Sequence, residues 1–170
     1  ELTIGNNPVR VDLETDFPDQ GDVVAKLHMK APLRFTVKVR VPDWAGSVSV
    51  AVDDEAMRDA AGEDGYVTIA REWRDGNRIR LHLQMTTRRV PMGTFGVCAA
   101  RGVEIMCLDT RDNPNLNLDA VSLPVGLQLE PTEPVDGRRR YVGKVQVEGK
   151  PTNVLFTPYA EAGAVPARFR

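Results

Sequence analysis

Apolar and polar residues alternate along most of the sequence in short runs, and each run ends at Gly, Pro, Asp or Asn. In one run, Phe35 and Val37 alternate with Thr36 and Lys38 until Pro42 ends it. A period of two is typical of a β-strand with one buried face, and a proline ends such a strand because it lacks the N–H that a ladder needs. The pattern predicts an all-β, antiparallel sandwich of the jelly-roll or immunoglobulin-like kind. Similar runs cover residues 9–13, 23–29, 48–52, 66–69, 79–83, 95–99, 103–108, 142–147 and 153–157.

Two segments depart from the alternating pattern. Asp75, Gly76 and Asn77 stand between two alternating runs, and all three residue types accept turn conformations, so we predict a β-hairpin over residues 66–83. Residues 53–61 have apolar residues at helical spacing before a glycine, and a short helical turn and a loop are both compatible with them.

Changes in composition divide the chain. Residues 109–134 are rich in Asp, Asn and Pro, which predicts a long irregular connection. A break near Pro91 follows the predicted hairpin. We therefore predict two small packed sandwiches, a first over residues 1–90 and a second over residues 91–170 that contains the irregular connection.

Composition and charge exclude some classes of binding partner. Hydrophobic residues make up 42% of the 170 residues, which is enough to form a core, and the net charge of −2 offers no attraction to nucleic acid or to an anionic membrane. No apolar run approaches the roughly 20 residues that span a bilayer, and no targeting segment is present, so we expect a soluble chain. The first residue is Glu1 and a strand-like run follows at once, as expected for a piece of a longer protein.

The residues that could carry chemistry each have a plainer interpretation. The histidines, His28 and His82, stand in strand-like runs away from any metal-ligand spacing, and no serine lies in a nucleophile elbow. Cys98 and Cys107 are too few for a disulfide framework; free thiols are favoured and a bridge stays open. A tight turn at Arg101 and Gly102 would place Cys98 opposite Ile105, whereas a register shifted by two would place the cysteines opposite each other.

Acidic clusters are the candidates for catalysis. Glycosidic cleavage needs two carboxylates on opposite sides of the bond, and two clusters could supply them. Asp is also common in turns for conformational reasons, so the sequence alone favours a structural role for both. The clusters are Asp53, Asp54 and Glu55, and Asp109, Asp112 and Asp119.

Three aromatic residues are candidates for carbohydrate binding. Trp44, Trp73 and Tyr159 could stack on the apolar face of a sugar ring. The two tryptophans stand at predicted strand ends, where a large side chain also commonly closes a sandwich core, and both interpretations stay open. The residues indicate no metal or other cofactor in this chain.

Several spaced motifs follow one another along the chain. They are Thr15, Asp16, Phe17 and Pro18; the R-x-P-x-W of Arg40, Pro42 and Trp44; Gly65 and Tyr66; Arg71, Trp73 and Gly76; Leu83 and Met85; and Pro158 with Tyr159. In this order they resemble the C-terminal β-sandwich region of glycoside hydrolase family 127, the β-L-arabinofuranosidase-like proteins, in which the first motif is T-x-Y-P. The resemblance extends over nearly the whole chain. It departs at Asn77, where the family usually has Asp, and at residues 101–106, RGVEIM in place of R-G-P-L-V-Y.

The resemblance implies a non-catalytic accessory region. In that family the catalytic residues, a zinc-held cysteine nucleophile with glutamate partners, belong to a helical barrel that precedes this region, and none maps onto this chain. The resemblance therefore implies that the partner is the helical-barrel catalytic domain of the same parent chain, that the zinc lies there, and that this chain alone is inactive. A carbohydrate-binding module that uses surface aromatics is the alternative.

Overall fold

A computed structural model describes residues 2–57, 65–93 and 96–162 of the chain. Within these residues the regular structure is β-strand with short 3₁₀ turns at Leu118–Ala120 and Tyr159–Glu161, and every strand pair is antiparallel. The predicted all-β, antiparallel fold is confirmed. The strands are β1 Leu2–Ile4, β2 Asn7–Thr15, β3 Asp22–Met29, β4 Leu33–Arg40, β5 Val48–Val52, β6 Glu55–Met57, β7 Tyr66–Trp73, β8 Arg78–Leu83, β9 Thr87–Pro91, β10 Val97–Arg101, β11 Glu104–Leu108, β12 Val121–Ser122, β13 Leu129–Val135, β14 Arg138–Val147 and β15 Lys150–Pro158.

The chain divides into two compact units, Glu1–Met85 and Thr86–Arg170. The predicted division near residue 90 falls inside β9, which pairs with β10 of the second unit.

The first unit is a sandwich of a wide sheet and a narrow one. Six strands pair in the order β1-β2-β3-β8-β5-β6, and β4 pairs with β7 to form the second sheet. Both sheets contribute to one core, because alternate residues of each strand point inward. The buried core residues are Val9, Leu27, Met29, Val50, Val52, Val67, Ile69, Trp73 and Ile79.

The turn at residues 75–77 is present, but the predicted hairpin is wrong. β7 pairs with β4, whereas β8 pairs with β3 and β5, so the turn carries the chain from one sheet to the other. The turn is held on β3, where Gly76 N–H donates to Leu27 O at 2.9 Å and Met29 N–H donates to Asp75 Oδ1 at 3.1 Å. The local turn chemistry was predicted correctly, but these long-range contacts select the strand partners.

The second unit contains one seven-stranded sheet. Its strands follow the order β12-β14-β15-β11-β10-β9, and β13 also pairs with β14. The core includes Tyr141, Val145 and Phe156, each at most 2% exposed. Gly143 is required within it, because a Cβ there would lie 2.6 Å from Leu129 Cδ2 and 2.9 Å from Phe156 Cε2.

Two predicted segments differ from the structure. The irregular connection is shorter than residues 109–134, because Leu129–Val135 forms β13; its two prolines are tolerated since this strand has a partner on one side only. Of the segment 53–61, residues 53–54 form a turn and Glu55–Met57 forms β6, so no helical turn begins there, and residues 58–61 lie outside the described residues.

Candidate functional site

A buried cluster of acids and arginines is the densest group of charges described in the second unit. Asp109 follows β11, and Asp112 lies in the connection after it; their side chains are 2% and 0% exposed. Arg138 contacts both carboxylates at 3.3 Å, and Arg140, two residues along the same face of β14, pairs with Asp112. Arg111 completes this acid–arginine cluster by pairing with Asp109.

Each carboxylate of the acid–arginine cluster is occupied by donors. Asp109 accepts hydrogen bonds from the Arg111 side chain and from the Arg111 backbone N–H at 2.8 Å. The hydrogen bond from that side chain is the main reason why the pKa of Asp109 lies below its usual value, since burial alone would raise it. Asp112 also accepts from Thr157 Oγ1 at 3.0 Å. Both carboxylates are therefore occupied by donors of the protein itself.

Arg139 lies on the other face of β14 and joins two further acids. It donates to Glu104 on β11 at 2.5 and 2.9 Å, and to Glu161 in the 3₁₀ turn, where its own N–H also donates at 2.7 Å. Burial would lower the pKa of Arg139, but these two carboxylates raise it above its usual value. The three consecutive arginines of β14, Arg138, Arg139 and Arg140, thus all pair with acids. Only their alternation in β14 could have signalled this.

Both cysteines line one small cavity in the second unit. Ala99 pairs with Met106 and Arg101 with Glu104, which is the register shifted by two from the tight-turn expectation. Cys98 and Cys107, 3% and 2% exposed, therefore follow at the next opposed positions and line a cavity of about 40 Å³. Burial, helped by Asp109 and Asp112, raises the pKa of the Cys107 thiol to about 11.

The histidines of the first unit lie on the outer face of the wide sheet. His82 Nδ1 lies 2.8 Å from Asp22 Oδ1, and Ser49 is directly opposite His82 on β5. The structure therefore aligns an aspartate, a histidine and a serine across three neighbouring strands. The imidazole is 55% and the carboxylate 65% exposed, so the row stands in water without the desolvated, fixed geometry that activates a serine. His28 lies between Asp12 at 3.0 Å and Asp75 at 3.6 Å.

The first acidic cluster is also tied into the fold. Asp53 Oδ1 accepts the Arg78 backbone N–H at 2.8 Å and its Oδ2 accepts Asn77 Nδ2, while Asp54 pairs with Arg80. Both aspartates have positive φ, which Asp tolerates better than most residues. Of the second cluster, Asp119 lies in a 3₁₀ turn and Asp109 and Asp112 are covered, so neither of the two clusters presents a facing pair of acids in an open cleft.

The aromatic candidates lie in different environments. The prediction of Trp73 as a sugar-stacking residue is wrong: it is 0% exposed, its Nε1–H donates to Phe35 O at 3.1 Å, and its ring packs on Phe35 and Arg71. Trp44 is half-buried and stacks on Phe17, with ring centroids 6.2 Å apart and planes 29° apart. Tyr159 is 55% exposed in its 3₁₀ turn in the second unit. For Trp44 and Tyr159, carbohydrate binding stays a prediction.

The core face of the wide sheet extends beyond its buried part. Along β2, Val9 is 1% exposed, Val11 is half-buried and Leu13 is 65% exposed, although all three point to the same face. Leu2 of β1, which pairs with Val9, is 59% exposed. Leu2 and Leu13 thus form an uncovered apolar margin of the first unit.

Two kinds of site are missing from the described residues. Residues 2–57, 65–93 and 96–162 contain no group of three His, Cys, Asp or Glu side chains that could hold a metal ion. Within the same ranges, no helix has the length and apolarity that crossing a bilayer demands.

Comparisons with known proteins give the family. The profile of the family described as "Beta-L-arabinofuranosidase, GH127 middle domain" matches residues 1–85. No curated protein sequence matches the chain.

Solved structures share the fold over nearly the whole chain. A GH127 β-L-arabinofuranosidase from Geobacillus stearothermophilus T6 is 23% identical, with a TM-score of 0.81 over 98% of this chain and 30% of that one. The GH127 β-arabinofuranosidase BT3674 is 22% identical, with a TM-score of 0.80 over 98% of this chain and 31% of that one. A third protein, described as a glycoside hydrolase, is 22% identical with a TM-score of 0.78, over 94% of this chain and 31% of that one.

The chain therefore spans about a third of the length of these structures. At such identities the likeness shows the fold, and the profile match over half of the chain shows the family. The resemblance predicted from the spaced motifs is confirmed: this chain belongs to the GH127 middle-domain family of the β-L-arabinofuranosidases.

Proposed function

We propose that this chain is a non-catalytic accessory region of a glycoside hydrolase resembling β-L-arabinofuranosidases, and that it packs against and stabilises the catalytic domain of the parent protein. The observation that carries the proposal is the match to a middle domain of that family, in a chain that spans only about a third of the similar structures. The family's helical barrel and its zinc would then belong to the remaining part.

The chemistry of the described residues supports a non-catalytic role. The carboxylates of Asp109 and Asp112 are buried and covered by arginines, and Cys107 is held as a neutral thiol by its raised pKa. A glycosidase needs one carboxyl group that can give up a proton and another that can attack or activate water. Groups already committed to ion pairs supply neither.

The apolar margin is the surface proposed to pack on the catalytic domain. Leu2 and Leu13 continue a core face that the first unit itself does not cover. The similar structures are about three times as long as this chain, so their remaining part could supply that cover. Burying a leucine side chain contributes about 1.5–3 kcal/mol, so the two together would stabilise an interdomain contact substantially.

Hydrolysis assays test the catalytic part of the proposal. An aryl β-L-arabinofuranoside would be incubated with the 170-residue chain and, in parallel, with a longer protein that includes the upstream barrel. We expect turnover only with the longer protein, and we expect a chelator to abolish that turnover. Turnover by the 170-residue chain that persists with chelator would reject the proposal.

Substitutions in the apolar margin test the packing. In the longer protein, Leu13→Asp should lower the melting temperature and favour proteolytic separation of the two parts, since it places a charge in the contact. Val125→Asp is the matched control, because Val125 is 88% exposed and lies in the second unit. Equal effects of the two substitutions would contradict a contact at Leu13.

Carbohydrate binding is the second candidate function. It is favoured by the stacked pair of Phe17, 37% exposed, and Trp44. A groove whose lining includes Asp16, the residue before Phe17, is also present. Titration of the chain with arabino-oligosaccharides should then give saturable heat that Trp44→Ala removes. Unchanged binding in Trp44→Ala, or no binding in the wild type, would reject this role for the pair.

A further inference from the structure

The cysteines of the second unit stand where a disulfide would join two neighbouring strands. β10 and β11 form a hairpin whose ladder pairs Arg101 with Glu104 and Ala99 with Met106. Continuing the ladder by one residue brings Cys98 opposite Cys107. Directly opposed residues of antiparallel strands have Cα atoms about 4.5–5.5 Å apart, within the range of about 4.4–6.8 Å that a disulfide spans.

The surroundings leave room for this bond. The ladder between β10 and β11 ends at Ala99 and Met106, while each strand continues along its other neighbour: Cys98 pairs with Val90 of β9 and Cys107 with Thr157 of β15. Both cysteines line the cavity of about 40 Å³, together with Ala99, Met106 and Phe156. A bond between the two sulfurs would use this space, and it would replace the hydrogen bond that Cys107 Sγ donates to Thr157 O at 3.3 Å.

We propose that Cys98 and Cys107 form an intramolecular disulfide when the chain meets an oxidising small-molecule disulfide such as oxidised glutathione. The proposal is independent of the proposed accessory function.

The reaction is two successive thiol–disulfide exchanges. The Cys98 sulfur, deprotonated, attacks one sulfur of the small disulfide and releases one thiolate, which leaves a mixed disulfide on Cys98. The Cys107 sulfur, losing its proton to solvent, then attacks the Cys98 sulfur and releases the second thiolate. The cysteines together lose two electrons and two protons, and the small disulfide becomes two thiols. Cys107 is a poor first nucleophile, since burial raises the pKa of its thiol.

Access decides when the bond forms. The sulfurs lie in residues that are at most 3% exposed, so an oxidant reaches them in the folded state only through local opening. During folding both thiols are accessible before the cavity closes. The bond is therefore expected to form during oxidative refolding, and slowly in the folded protein.

Oxidative refolding with mass analysis tests the proposal. The 170-residue chain would be unfolded, reduced and refolded in glutathione buffers of graded redox ratio, then alkylated under denaturing conditions. At oxidising ratios the wild type should lose two hydrogen atoms in mass and accept no alkylating label, and added dithiothreitol should restore two labels. Cys98→Ser and Cys107→Ser are the matched controls, and each should keep one reactive sulfur.

The thermal midpoint supplies a second readout. The disulfide closes a loop of about ten residues, which should raise the melting temperature by about 5–10 °C over the reduced form. Two labels at every redox ratio, or only intermolecular bridges, would overturn the proposal. A melting temperature lowered by the bond would overturn the claim that the strands are placed for it.

Discussion

Replacing Asp112 by asparagine should destabilise the second unit strongly. The side chain is 0% exposed and accepts from Arg138 at 3.3 Å, from Arg140 and from Thr157 Oγ1 at 3.0 Å. Asparagine keeps the shape but removes the charge that balances two arginines, each of which is only about 15% exposed. Arg138 would retain Asp109, whereas Arg140 would lose the carboxylate that it pairs with.

The expected loss of stability follows from the unpaired charge of Arg140. Removing one partner of a buried ion pair costs about 3–5 kcal/mol, because the remaining charge stays desolvated. A single domain has a total stability of about 5–15 kcal/mol, so this loss would lower the melting temperature of a unit of this size by about 10 °C or more. Glu130→Gln is the matched control, since it makes the same charge change at an exposed position of β13.

Two optical probes separate the units in this experiment. Both tryptophans, Trp44 and Trp73, lie in the first unit, so tryptophan fluorescence reports on its unfolding, while far-ultraviolet circular dichroism reports on both. Asp112→Asn should shift the dichroism transition more than the fluorescence transition. A loss below about 1 kcal/mol would refute the view that the acid–arginine cluster is a desolvated network. Adding Arg140→Gln should recover part of the loss, because it removes the unpaired charge.

Three further predictions concern pH and packing. The pKa of Asp109 is lowered in the folded state, so its contribution to stability is present at pH values above the ordinary pKa near 3.8 and is lost as the pH falls through the lower folded pKa. Urea titrations at graded acid pH should therefore show a shallower loss of unfolding free energy in Asp109→Asn than in the wild type. The pKa of Cys107 is raised in the folded state, so the free energy of unfolding should fall by up to about 2 kcal/mol as the pH rises from 9 to about 11. Cys107→Ser, measured by the same titration, should not show this fall. Gly143→Ala should cost about 1–3 kcal/mol in chemical unfolding, because the new methyl group meets Leu129 and Phe156, and an unchanged midpoint would contradict the packing described for this core.

The sequence predicted strands better than their partners. Alternation depends on which residues point inward, and that is a local property, so the run around Phe35 and Val37 was assigned correctly to β4. Pairing depends on contacts distant in sequence, so the turn at residues 75–77 was found while its hairpin was wrong. Strand β13 was missed because Pro131 and Pro134 look like breakers until the strand is known to lie at an edge.

Side-chain environments were the least predictable part of the candidate site. Trp44 and Trp73 both stand at predicted strand ends. Trp73 lies within β7 and is fully buried, whereas Trp44 lies beyond the end of β4 and is half-buried. Which residue lies opposite Cys98 depended on where the β10–β11 turn begins: a tight turn would place Ile105 there, and the observed register leads to Cys107, two residues further along. In the acid–arginine cluster, Arg138 pairs with aspartates that are 26 and 29 positions away, and the alternation of Arg138 and Arg140 is the only local signal of these pairs.

The position of β8 in the wide sheet has a consequence for synthesis on the ribosome. β8 is the last strand of the first unit to be made, yet it lies between β3 and β5 and is the strand that joins β1-β2-β3 to β5-β6. Until residue 83 has left the exit tunnel, the nascent chain holds two separate partial sheets with apolar faces and open edges. Such long-range closure is slow and exposes aggregation-prone surface, so the first unit should depend on chaperone protection until β8 inserts.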